Sequence, residues 1–270
     1  MRAAVALLTI WLVLLSGPAV SFGADGHRIV VMIAENHLST KTAGAINQIT
    51  DHQSLGDLAL WPDRIRYLPA WEHSKYWHYL SIDDHEQFGE FTRHPDGDVL
   101  SALDYFFTEL QDPKLTKQQQ LEALSFFIHF VADIHQPLHV GRRDDRGGNK
   151  IKIKWLTTSK ATNLHRVWDS QIIDAQNNSP EQYSQMLDKA STAQLAQWQD
   201  STFLDWARES KTLRSLAYNF GAVSKRMPIP IGPAYIGRNN AIIERRLLMA
   251  GVRLADCLNR IFDPASNRRL

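Results

Sequence analysis

One segment limits the possible folds of this chain more than any other. Between Thr116 and His135, the residues Leu121, Leu124, Phe127, Ile128, Val131 and Ile134 recur at three- and four-residue steps, the spacing of an α-helix with a broad apolar side. Pro137 ends the run, because proline has no backbone N–H to continue the helical ladder. A helix this apolar must be buried, and it takes His129 and Asp133 inside with it. Those two lie four residues apart, one turn above each other on one face.

Helical spacing covers most of the remaining chain. His27 to His37 is an apolar-rich helix, and Ser39 caps a second that runs to about Ile49. Pro62 and Pro69 bracket a short helix-and-turn segment. Leu100, Leu103, Phe107 and Leu110 place a helix over Asp98–Leu110, Leu164 to Ile173 is another, and a long last helix spans Ala234 to Ile261. The exception follows the polar, glycine-bounded loop Gly141–Gly148. There Asn149–Trp155 alternates Lys with Ile, as a strand does. The expected fold class is therefore all-α, mainly helical, with a small β-hairpin near 149–160, in one domain without internal repeat or linker.

The N-terminus predicts export. Met1-Arg2 precedes an apolar run from Ala3 to Leu15, then a break at Ser16-Gly17-Pro18 and the small-residue site Ala19-Val20-Ser21. This is the pattern of a secretory signal peptide; the run is shorter than the roughly 20 residues a membrane span needs. Cleavage is expected between Ser21 and Phe22, leaving 22–270 as a periplasmic or secreted domain with no stable membrane anchor, by default a monomer. Of 30 Lys and Arg against 29 Asp and Glu, the leader takes one Arg and no acid, so the mature chain is balanced. That excludes a global pull on nucleic acid; any phosphate site must use local cations or a metal. Cys257 is the single cysteine. It permits no internal disulfide, and its apolar surroundings predict a buried core position.

The chemistry resides in histidine and aspartate. The chain has 11 histidines. After the pair His129 and Asp133 comes His139, and beyond the glycine loop His165 and Asp169 repeat the four-residue spacing. Imidazole and carboxylate are ordinary zinc ligands, and with almost no cysteine the set suits a catalytic rather than a structural site. For one such pair a surface ion pair is the simpler reading. For two pairs and an intervening His beside a buried helix, metal is favoured, because an unpartnered buried set would be costly. Spacing alone makes neither Asp63 nor His78 a ligand.

The ordered motifs Phe22-Gly23-Ala24-Asp25-Gly26-His27, Trp61-Pro62-Asp63, His78-Tyr79, His129 through His139, Gly147-Gly148-Asn149 and Asn163-Leu164-His165-x2-Trp168-Asp169 resemble the S-one/P-one nuclease family, zinc-dependent single-strand nucleases and 3′-nucleotidases with a mainly helical fold shared with zinc-dependent phospholipase C. The resemblance implies three zinc ions. Asp63, His78, His129 and Asp133 would hold one, and His139, His165 and Asp169 a second. The third would take His27, Asp133 and the main-chain amine and carbonyl of the mature first residue, Phe22, where the family usually has Trp. It further implies attack of a zinc-bound hydroxide on phosphorus with Asp63 assisting, single-stranded DNA, RNA and nucleotides as substrates, and 5′-phosphorylated products. Arg66 would steady the transition state, with Arg64 as the alternative. Tyr79 matches a base-stacking position, a core tyrosine being the alternative, and Asn149 would contact substrate or cap its loop. Arg146 stands where a fungal member is apolar, which opens the question of base preference. His135 is expected to fix a ligand carboxylate, and His37, His52, His73, His85 and His94 to be surface or structural. Two rivals are a zinc-dependent phospholipase C, which resembles this chain but has Glu where Asp169 stands, and an exported zinc-binding protein without catalysis.

Overall fold

The computed structural model describes residues 22–155, 161–224 and 227–265. The predicted leader, 1–21, and the 156–160 part of the predicted hairpin lie outside the described residues. Helix α1 (Ala24–Asn36) opens the chain, and Ser39 caps α2 (Thr40–Thr50) by accepting the Thr42 amide at 3.1 Å. Short helices α3 (Leu55–Leu58) and α4 (Trp61–Ile65) lead into a 3-10 segment, Pro69–His78, and strand β1 (Leu80–Ser81). Reciprocal caps start both α5 (Val99–Glu109), through Asp98 and Ser101, and α6 (Lys117–His135), through Thr116 and Gln119; each satisfies amides that the first turn leaves unpaired.

After α6 come a 3-10 turn at Pro137–His139, β2 (Val140–Gly141), β3 (Lys152–Trp155) and β4 (Ala161–Asn163). The predicted Leu164–Ile173 helix is present in three parts: α7 (Leu164–Arg166), a wider π-helical stretch at Val167–Gln171, and α8 (Ile172–Asp174). The chain continues through α9 (Pro180–Leu187), α10 (Thr192–Gln199), α11 (Phe203–Ala217), β5 (Ile229–Ile231) and α12 (Pro233–Phe262).

Helix α6 is the axis of the molecule. Every residue from Ala123 to His135 is buried, which a helix apolar on nearly all sides requires. Helices α1, α5, α11 and α12 surround it. Helices α1 and α12 cross closely at Gly251: a Cβ there would meet Ile33 Cγ2 at 2.5 Å and the Val30 carbonyl at 3.0 Å. Cys257 is buried on α12 as expected, and burial pushes its thiol up to about 12. No helix among the described residues is long and apolar enough to cross a membrane.

Strands β3 and β4 pair antiparallel, with Ile153 opposite Thr162, as the predicted hairpin requires. The hairpin is extended by β5, which pairs parallel to β3 with Ile153 opposite Ile229. That third strand carries Pro230, the residue least suited to a strand except at an edge, so its sequence did not announce it. The other pairing matters more. Strand β1 lies parallel to β2, Leu80 opposite Val140, which brings His78 and Tyr79 beside His139.

The structure corrects the expectation for His135. It faces away from Asp133, since two residues along a helix is roughly 200° of rotation. Its Nδ1 donates to the Val131 carbonyl at 2.7 Å, and its Nε2 accepts from Arg253 at 3.0 Å. Arg253 and Arg246, each 1% exposed, converge on Glu209, which accepts from them at 2.7 and 2.5 Å. His135 belongs to this network tying α6 to α11 and α12. Burial and the two guanidinium charges hold its pKa well below the usual value, so it stays neutral.

Candidate metal centre

Five histidines and three aspartates form three groups in which every offered ligand atom lies within 4.8 Å of the others: His27, His129 and Asp133; Asp63, His78 and His129; and His139, His165 and Asp169. Every sequence-predicted side-chain ligand is present. Helix α1 supplies His27, α4 supplies Asp63, and the end of the 3-10 segment supplies His78. Helix α6 supplies His129 and Asp133, the turn after it His139, and the last pair comes from α7 and the π-helical stretch. The π stretch adds a residue to the turn and is a form found often at functional sites.

Asp133 is the hub. Its Oδ2 lies 3.0 Å from His129 Nε2 and 3.2 Å from His78 Nδ1, and its Oδ1 lies 3.4 Å from His27 Nε2 and 3.6 Å from His139 Nδ1. His78 Nδ1 and His129 Nε2 stand only 2.9 Å apart. Asp169 faces His139 Nε2 at 3.5 Å with one oxygen and His165 Nε2 at 3.4 Å with the other.

Backbone carbonyls set the rings. His27, His129, His139 and His165 each place Nδ1 2.7 Å from one, those of Phe22, Ala59, His78 and Gly147 respectively. In the neutral ring an Nδ1–H donated in this way leaves Nε2 unprotonated, with its lone pair available to a metal; such orientation is a general feature of metal-binding histidine. All four of these Nε2 atoms face carboxylate oxygens, those of Asp133 or Asp169. His78 is reversed and turns Nδ1 to the cluster. Gly147 is suited to its role because φ is +60° and a Cβ would lie 2.4 Å from the Leu138 carbonyl.

Electrostatics match a site built for cations. Burial works against ionisation of Asp133, but His129 and His139 outweigh it and hold the carboxyl well below its usual range. Burial likewise opposes charge on His139, but Asp133 and Asp169 push it up to about 9. His78 is driven down to about 4, by burial first and by His129 as well.

The residues fit a bound metal. Buried and without a hydrogen-bond partner are His27 Nε2, both Asp63 carboxylate oxygens, His78 Nε2, His139 Nε2 and Asp169 Oδ2. Leaving such atoms unpaired costs on the order of 1–3 kcal/mol each. Five of the six belong to atoms turned toward the clusters, and the donors are all imidazole nitrogen or carboxylate oxygen, a set suited to zinc. Phe22 is buried, its ring against Gly26, and its carbonyl lies on the edge of His27 opposite Asp133.

Above the centre opens a cleft of about 1010 Å³ whose floor includes His78, His139 and His165. Arg66 lines it, with Nη1 3.0 Å from Asp63 Oδ1; Arg64 is exposed and does not line it. Tyr79 lines it and is 37% exposed, so it is not a core tyrosine. Asn149 lines the cleft and closes its loop with a 2.9 Å bond from its side-chain amide to the Arg146 carbonyl. His94 lines the cleft as well, stacked on Tyr76 at 3.6 Å between ring centres. Sequence reading overlooked Gln136, whose buried amide donates to Asp169 at 2.7 Å; its place directly after the α6 ligands was the available signal.

A family model described as S1/P1 Nuclease matches residues 22–263. The chain is similar to Endonuclease 3 of Arabidopsis thaliana, at 30% identity over 90% of each chain, and to Endonuclease 2 of the same plant, at 30% over 95% of this chain and 96% of the relative. Nuclease S1 of Aspergillus oryzae is 27% identical over 89% of this chain and 91% of its own. With the match running from Phe22 to the end of α12, this chain belongs to the S1/P1 nuclease family, hydrolases that act on the phosphodiester bonds of nucleic acids.

Proposed function

We propose that this protein is an exported, zinc-dependent endonuclease that cuts single-stranded DNA and RNA to 5′-phosphorylated products and also removes phosphate from 3′-nucleotides. The observation that carries this is the set of buried imidazole and carboxylate atoms without a hydrogen-bond partner, grouped around His78 and His139, which line an open cleft. The three groups would hold three zinc ions, with Asp133 shared between two of them. Zinc supplies Lewis acidity toward phosphate oxygens and lowers the pKa of bound water from 15.7 toward about 7.

The chain's own residues do the rest. Asp63, whose Oδ1 lies 3.0 Å from the cleft-lining Arg66, would accept a proton from the attacking water. Arg66, held beside Asp63, presents a planar guanidinium to the phosphate as charge builds on its oxygens. Tyr79 next to His78 offers a half-exposed ring on which one base can stack. A duplex keeps its bases inside the stack, whereas a single strand can turn them onto such a ring.

Export follows from the leader pattern at residues 1–21. Cleavage after Ser21 would free the Phe22 amine five residues before His27, and the family match begins at that residue. The test is a paired measurement on one sample. Zinc per chain is read by elemental analysis of protein whose first residue is established by N-terminal sequencing, and nucleotide release is followed from single-stranded DNA, duplex DNA and RNA. Three zinc ions with preference for single strands are expected. Zinc with hydrolysis of phospholipid alone would keep the metal centre and overturn the substrate.

A further inference from the structure

The cleft's cations are not equivalent. Arg93 is committed to Asp98, donating from Nε at 2.6 Å. Arg143 is tied to Asp83 at 3.1 Å and also to Glu86. Lys75 pairs with Glu72 at 2.9 Å and Arg66 stands at Asp63. Arg146 also lines the cleft, and among the described residues it has no ion pair. In a chain of balanced charge, a guanidinium facing the cleft without a carboxylate partner is a local positive site.

Its backbone makes the choice of arginine more telling. Arg146 has φ of +54° and begins three consecutive left-handed residues with Gly147 and Gly148. That conformation costs an L-residue roughly 1–2 kcal/mol and favours Gly or Asn. Local geometry does not favour arginine there. The turn is also firmly held. The Arg146 amide donates to the Arg143 carbonyl at 3.3 Å, and the Arg146 carbonyl accepts from the Asn149 amide at 3.3 Å and side chain at 2.9 Å. The next carbonyl, of Gly147, orients His165. The Arg146 backbone is thus held next to the peptide that orients His165. Tyr79, the proposed base-stacking ring, lines the same cleft as Arg146. At about 1010 Å³ the cleft reaches the top of the range of roughly 300–1,000 Å³ typical for one small ligand, which leaves room for more than one nucleotide.

We infer that Arg146 binds the phosphate that flanks the scissile one, and so makes the enzyme favour a polymer over a substrate with a single phosphodiester. This rests on the nuclease reading above. The experiment compares a dinucleoside monophosphate, which has one phosphodiester and no flanking phosphate, with a pentanucleotide, using the zinc-loaded wild type, Arg146→Ala and Arg146→Asn. Asn tolerates the left-handed backbone and keeps the turn. For both variants kcat/KM on the pentanucleotide should fall about tenfold, as expected for loss of a charge-assisted hydrogen bond. The log–log salt dependence of that constant should become shallower by about 0.7, one single-strand phosphate contact. On the dinucleoside monophosphate kcat/KM should stay within about twofold, with zinc content and melting temperature unchanged. Equal losses on both substrates, or no loss on either, would overturn this inference while the wild type remains a nuclease. A wild type inert on both substrates would instead overturn the nuclease reading, and this inference with it.

Discussion

Replacing Gly147 with alanine tests whether the glycine loop positions the metal centre. Two costs are separable. The first is backbone strain, since φ is +60°. The second is steric: the new Cβ would sit 2.4 Å from the Leu138 carbonyl oxygen, where ordinary contact begins near 3.4 Å. Relief therefore needs a displacement of about 1 Å, and the displaced peptide carries the carbonyl that holds His165 Nδ1 at 2.7 Å. A misplacement of that size can cost about 10²-fold in rate, and orienting contacts to metal ligands are worth about 10- to 100-fold. Gly221 provides the control. Its φ is +61° but a Cβ there meets nothing within 4 Å among the described residues. Gly221→Ala should lose only the strain, roughly 1–2 kcal/mol, or a few degrees in melting temperature at about 2–4 °C per kcal/mol. Gly147→Ala should lose a further 1–3 kcal/mol or so from overpacking, and in addition about 10²-fold in kcat on single-stranded DNA. Melting curves, zinc retention against a chelator and steady-state kinetics on the three proteins decide it. If Gly147→Ala matches Gly221→Ala in stability and retains wild-type turnover, the loop does not position His165.

Asp133→Ala should abolish hydrolysis and lose at least one zinc ion, as read by elemental analysis, because four imidazoles converge on its two oxygens; near-normal turnover would refute the ligand map. Gln136→Ala should weaken zinc binding by about 10- to 100-fold in a competition titration, through the loss of its 2.7 Å bond to Asp169, and an unchanged affinity would make that bond irrelevant. In metal-free protein the folded-state pKa of His139 is raised from 6.5 to about 9, so the stability it contributes is full below pH 6.5 and is lost as pH rises toward about 9. Melting temperature should therefore fall across that window, while zinc affinity rises by up to about tenfold per pH unit as the proton is displaced; pH-independent affinity would contradict this. Glu209→Ala should cost on the order of 3–5 kcal/mol in denaturant unfolding, because it strands Arg246 and Arg253, both 1% exposed, and a loss under about 1 kcal/mol would show that the network relaxes.

Local spacing along the sequence already specified a good deal. The repeat of apolar residues through Thr116–His135 required a buried helix, and the four-residue separations placed His129 with Asp133 and His165 with Asp169 on common faces, because α-helical geometry alone sets those relations. The motifs carried by resemblance named the other side chains of the candidate metal groups. Periodicity could not bring His78 to His139, which depends on β1 pairing with β2 across about 60 residues, Leu80 opposite Val140. Nor could it supply the carbonyls of Ala59 and Gly147 that fix the rings, since every residue has a carbonyl and only packing selects which one points inward. His135 shows the same limit from the other side. Its place between two ligands suggested service to the metal centre, but helical rotation turns it toward α12, where Arg253 holds it. Sequence could name the donor atoms because their chemistry belongs to residue type. Only the tertiary structure could decide their convergence, the tautomers their carbonyl partners impose, and the cleft above them, because these depend on contacts between segments far apart in the chain.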